Sequence, residues 1–145
     1  MRRLQLPVIL LLGLCLQLMA QSPFQPSKPF TVALILPEEE ETVRAGEDFV
    51  VTTRVTSSFT ECMVIRTSVL TNPDLTFPYG NFSYTACLCP GDQRNFFWDI
   101  IANRTTTITA MAEAIEEEGI CTEDLAIRPP SDRVDSQTKT LNVKA

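Results

Sequence analysis

Apolar residues recur at every second position through much of this chain. In the run 49–55, Phe49, Val51 and Val55 fall on one face, the period-2 pattern of a half-buried strand. The runs 30–36, 62–70, 82–89, 96–101, 105–111 and 138–143 are equally short and rich in Val, Ile, Thr and aromatic residues. Breakers separate them: Pro37, then Asn72-Pro73-Asp74, then Pro90-Gly91-Asp92. About seven short strands with turn residues between them predict an all-β chain. The expected architecture is a two-sheet antiparallel sandwich, immunoglobulin-like or fibronectin type III-like. The pattern is ambiguous over 110–119, where Ala and Glu fit either a helical turn ended by Gly119 or the end of a strand. Trp98 is the expected core anchor.

The first twenty residues follow a different logic. Arg2 and Arg3 precede an apolar run from Pro7 to Leu16, and Met19-Ala20 supplies a small residue before Gln21. This is the layout of a secretory signal peptide cleaved after Ala20, and the run is shorter than the ~20 apolar residues of a bilayer span. Expected are a signal peptide over 1–20 and a single secreted domain over 21–145, not an integral membrane protein. A mature Gln21 is free to cyclise to pyroglutamate. Cleavage removes both Arg2 and Arg3, so the product is more acidic than the full chain, whose 12 Lys and Arg face 18 Asp and Glu. With no basic patch to displace counterions, nucleic acid is excluded as a partner.

Secretion also changes how the cysteines read. Cys15 leaves with the leader, and Cys62, Cys87, Cys89 and Cys121 remain, an even set that in a short secreted chain implies two disulfides. Cys87 and Cys89 share a face of one strand with Cα atoms near the ~7 Å limit for bridging, so each should pair with Cys62 or Cys121 instead. Two connectivities stay open on this argument. A zinc site does not fit a lone Cys-x-Cys in a chain with no histidine, and no metal or other cofactor is expected. The missing histidine also removes Ser-His-Asp and Cys-His catalysis. Asp48, Asp92, Asp99 and Asp124 lie in no Asp-Thr/Ser-Gly context, so no catalytic residue is assigned.

The stretches Glu61-Cys62-Met63-Val64-Ile65, Tyr84-Thr85-Ala86-Cys87-Leu88-Cys89, Phe97-Trp98-Asp99, Asn103-Arg104-Thr105 and Gly119-Ile120-Cys121 resemble the prolactin-inducible protein and seminal vesicle autoantigen family. The resemblance covers residues 14–18 and nearly all of the chain from Cys62 onward, and is loose over 22–60. It implies the pairing Cys62–Cys89 and Cys87–Cys121, and a non-catalytic glycoprotein of seminal or exocrine fluid that modulates sperm function or local immunity. Implied partners are immunoglobulin G, fibronectin, zinc-α2-glycoprotein or the choline phospholipids of the sperm surface. An aspartic-type endopeptidase acting on fibronectin is the alternative that the resemblance carries.

Asn103-Arg104-Thr105 and Asn81-Phe82-Ser83 are N-glycosylation sequons. The family acceptor coincides with Asn103. Phe77, Tyr79, Phe82 and Tyr84 cluster around one turn and are the candidate contacts for a choline headgroup, since ring faces hold a quaternary ammonium. An exposed strand edge is the candidate route to immunoglobulin-like partners. The runs Glu38–Glu41 and Glu116–Glu118 contain no calcium loop and read as solvated acidic segments.

Overall fold

The computed structural model describes residues 28–37, 42–122 and 126–145. The proposed leader, Cys15, Gln21, the Glu38–Glu41 run and Asp124 lie outside these residues. Among the described residues nine strands form two sheets: β1 (Phe30–Ile35), β2 (Thr42–Arg44), β3 (Asp48–Ser57), β4 (Met63–Val69), β5 (Leu75–Thr76), β6 (Tyr84–Leu88), β7 (Gln93–Ala102), β8 (Thr106–Ile115) and β9 (Val134–Lys144). One sheet runs β1-β3-β7-β5 and the other β2-β9-β8-β4-β6. The seven expected strands are all present. The two extra ones are β5 and β2, and β2 pairs in parallel with the end of β9, the single departure from antiparallel pairing in the described sheets.

Period-2 sequences make these strands because alternate side chains meet between the sheets. Phe49, Val51, Val55, Trp98 and Ile100 are buried from one sheet, and Met63, Ile65, Leu88 and Ile108 from the other. The ambiguous stretch is a strand as far as Ile115, with Ala110, Ala112 and Ala114 fully buried. Their small side chains leave room in the middle layer for bulky groups such as Trp98 and Phe30. Turn chemistry matches the breakers. Asn72 accepts the Asp74 amide on Oδ1 at 2.9 Å, and Pro90-Gly91 forms a turn closed by Asp92 N–H on the Cys89 carbonyl at 2.9 Å. Gly91 has φ 80° there, the position where a type II turn requires a residue without Cβ.

One lateral side of the sandwich is sealed by side chains. The Val32 amide donates to Asp135 Oδ2 at 2.8 Å, and the Leu34 amide to Gln137 Oε1. Asp135 and Gln137 of β9 thus occupy two of the outward donors of edge strand β1. Asp135 Oδ1 also accepts from Lys28 Nζ at 2.8 Å. This hydrogen bond, with the attraction of the same carboxylate, raises the Lys28 pKa above its ordinary 10.5.

Three outcomes follow from this packing. Asp135→Ala strands the Val32 amide and should cost about 1–3 kcal/mol in urea unfolding; an unchanged midpoint would mean that water replaces the carboxylate freely. Thr53, fully buried in β3, has no protein partner for its Oγ1, so Thr53→Val should stabilise the fold by about 1 kcal/mol. Because the Lys28 pKa is raised on folding, its stabilisation is complete below 10.5 and is lost as pH climbs through the folded value. The effect is small at so exposed a group. Alkaline melting curves of wild type and Lys28→Ala should therefore converge.

Candidate functional site

The opposite lateral side, between β6 and β7, is where the aromatic residues gather. Tyr84 opens β6, and its ring meets Trp98 edge-on at 5.2 Å, Phe96 at 5.2 Å and Phe82 edge-on at 5.0 Å. Its hydroxyl donates to the Phe97 carbonyl at 2.7 Å, so it bridges the two sheets. The Trp98 indole N–H donates to the Phe82 carbonyl at 2.8 Å, which fastens the segment ahead of β6 onto β7. Of the four candidate headgroup residues, Phe77 and Tyr84 pack against the core. Tyr79 and Phe82 are exposed at 73% and 44%. Phe97, not singled out from the sequence, joins them at 52%. It lies on the outer face of β7 opposite Thr52, and the period-2 pattern around buried Phe96 and Trp98 was the signal that it faces outward.

Disulfides join Cys62 to Cys89 and Cys87 to Cys121. The β4–β6 register pairs Met63 with Leu88, so Cys62 and Cys89 meet one step further along, with Cα atoms 3.8 Å apart. Cys87 and Cys89 share a strand face, and their sulfurs lie 3.8 Å apart without being bonded. The sulfurs of Cys62, Cys87 and Cys89 fall within 4.8 Å of one another, but all are tied up as disulfides and offer no thiolate. Over the outer face of this sheet the Cys121 segment covers Val64 and leaves a cleft of about 460 Å³. Glu116, Glu117, Glu118 and Arg128 line it, and Glu117 pairs with Arg66 at 3.6 Å.

The sequon residues Asn81 and Asn103 are both exposed in loops. Asn81 Nδ2 donates to the Val69 carbonyl at 3.0 Å. Asn103 lies in the connection from β7 to β8, beside Arg104, whose guanidinium pairs with Asp74. Among the carboxylates considered for catalysis, Asp92 is engaged as a turn cap, accepting the Cys89 amide at 2.8 Å. Asp48 and Asp99 lie on β3 and β7. The arrangement offers exposed rings around a strand edge, which suits recognition.

The model of the seminal vesicle autoantigen family matches residues 3–124. Human prolactin-inducible protein is 35% identical over 134 residues, covering 89% of this chain and 90% of its own length. The homolog from Oryctolagus cuniculus is 38% identical over 129 residues, covering 85% and 82%. Among solved structures, the crystal structure of the complex between zinc 2-glycoprotein and prolactin-inducible protein from human seminal plasma contains a chain that superposes with a TM-score of 0.66. That chain is 28% identical and is matched over 100% of its length and 84% of this one. A segment of Escherichia coli α2-macroglobulin superposes with a TM-score of 0.59 at 15% identity, over 81% of this chain and 7% of that one, a likeness of fold alone. With the family model spanning most of its length and the relatives agreeing over nearly all of it, this chain belongs to the seminal vesicle autoantigen and prolactin-inducible protein family.

Proposed function

We propose that this chain is a secreted glycoprotein that acts by binding an extracellular protein at the β6–β7 seam. The observation that carries this reading is the exposure of Tyr79, Phe82 and Phe97 around a strand edge braced by Trp98, Tyr84 and two disulfides. Large rings on a rigid support are the residues that dominate binding energy in protein interfaces. The relative found in complex with zinc 2-glycoprotein makes zinc-α2-glycoprotein the first partner to try, with immunoglobulin G and fibronectin next. The mechanism is display: ordering of the surface is completed at folding, so little conformational entropy remains to be lost on association. In this reading residues 1–20 are removed as a leader, Gln21 cyclises, and glycans occupy Asn103 and Asn81. A glycan at Asn103 leaves the seam open, whereas one at Asn81 borders it and tunes access.

The binding test uses the oxidised, glycosylated chain against immobilised zinc-α2-glycoprotein. Saturable binding is expected, weakened at least about tenfold by Phe82→Ser or Phe97→Ser. Val134→Ser, on exposed β9 at the other side, should leave it unchanged. Equal binding by all variants would move the site elsewhere. Flotation with phosphatidylcholine vesicles should leave the chain in solution. Choline-selective flotation lost in Tyr79→Ser would instead make the ligand a lipid.

Secretion is tested by expression in mammalian cells. The expected product starts at pyroglutamate from Gln21 and shifts in mass on glycan removal, and Asn103→Gln abolishes part of that shift. Intracellular retention with Met1 intact would contradict it.

A further inference from the structure

The outer face of the β4–β6 ladder carries a group of half-buried sulfurs in close contact. Ala86 and Leu88 of β6 point into the core, so Cys87 and Cys89 point away from it. Cys62 meets them from the start of β4. The sulfurs of Cys62, Cys87 and Cys89 lie within 4.8 Å of one another, although two separate disulfides share them. Cys87 Sγ and Cys89 Sγ are 3.8 Å apart, which is van der Waals contact. The fourth sulfur is placed differently. Cys121 is only 7% exposed, and its Sγ lies 3.7 Å from the Met63 carbonyl.

A thiolate opens a disulfide by attacking one sulfur and displacing the other, so exchange needs the incoming sulfur in contact with the bridge. That contact is built into this face. When the Cys62–Cys89 bridge opens at Cys62, Cys89 leaves as a thiolate already touching one sulfur of the second bridge. Cys89 is also placed to move. It lies one residue past β6, and its amide and carbonyl are held by Asp92, not by β4. A Cys87–Cys89 bond spans two positions of a strand, near the ~7 Å limit for bridging. Such a bond suits an exchange intermediate and not a resting bridge.

We propose that Cys62, Cys87 and Cys89 form a thiol–disulfide exchange site that takes up a low-molecular-weight thiol and releases Cys121. The external thiolate attacks the half-buried Cys62 Sγ; a mixed disulfide forms there as the Cys62–Cys89 bond breaks. The Cys89 thiolate then attacks Cys87 Sγ. The Cys87–Cys89 bond forms, the Cys87–Cys121 bond breaks, and Cys121 leaves as a thiolate that takes a proton from water. Two disulfides stand before and after, so nothing is oxidised or reduced overall. The outcome is mechanical: the segment over Val64 loses its covalent tether at Cys121. It keeps the hydrogen bond from the Ile127 amide to the Cys62 carbonyl at 2.8 Å.

Peptide mapping of the oxidised chain tests this, with glutathione as the thiol and alkylation as the quench. The expected product carries glutathione at Cys62, a Cys87–Cys89 bond and an alkylated Cys121. Glutathione adducts with the Cys87–Cys121 bond still intact overturn the proposal, and so does a chain that resists glutathione until it is unfolded. Two variants separate sulfur transfer from the mere loss of a bridge. Cys62→Ala keeps the Cys89 thiol, whereas Cys62→Ala combined with Cys89→Ala lacks it, and both lack the first disulfide. In a brief alkylation pulse Cys121 should react at least about tenfold faster in the single variant. Equal rates would mean that loosening of the fold alone frees Cys121, and would overturn the exchange site. Mapping of the wild-type chain decides the question even where neither variant folds.

Discussion

Cys62 and Cys89 meet one step past the last pair of the β4–β6 ladder, and this cross-strand bond sets what the rest of that side can do. A strand slipped by one residue exchanges its two faces. The disulfide forbids that slip, which keeps Ala86 and Leu88 in the core and Cys87 outside, within reach of Cys121. The second disulfide then pins the covering segment over Val64. In the chain-entropy picture each closure, of 27 and 34 residues in separation, contributes roughly 3–4 kcal/mol. For a domain whose total stability is of order 5–15 kcal/mol, the pair supplies a large share.

The same constraint divides the molecule into a closed side and an open one. On the closed side two inward polar residues of β9 satisfy two amides of β1, those of Val32 and Leu34, a way of blunting an edge that would otherwise recruit another strand. On the open side Tyr84 and Trp98 fill the gap between the sheets with ring surface and point their polar atoms at carbonyls. Stability and recognition thus use the same aromatic cluster, its inner rings for packing and its outer rings for contact.

Most of the sandwich was legible in the sequence because alternation needs only neighbours along the chain: Phe49, Val51, Val55 and Trp98 are buried as their spacing predicts. Strands β2 and β5 were not, since runs of 3 and 2 residues carry no period and are held by their partners, β9 and β7. The stretch from Ala110 to Ile115 hid its alternation behind residues that favour helix, and only the facing sheet decides in favour of a strand. At the site, clustering of Phe77, Tyr79, Phe82 and Tyr84 was visible, but their directions were not. Tyr84 turns inward because a carbonyl 13 positions further along the chain, that of Phe97, sits where its hydroxyl can reach it. Asp135 and Gln137 gave no sign at all, as their partners lie 103 positions away.

The central claim is that the seam between β6 and β7 is the contact surface. It is tested most directly by placing a photo-activated cross-linking residue at position 97 in one sample and at position 134 in another. Each is irradiated with zinc-α2-glycoprotein. The account predicts a covalent adduct from position 97 and none from position 134. An adduct from position 134 alone would place the partner on the side sealed by Asp135 and Gln137, and would contradict it.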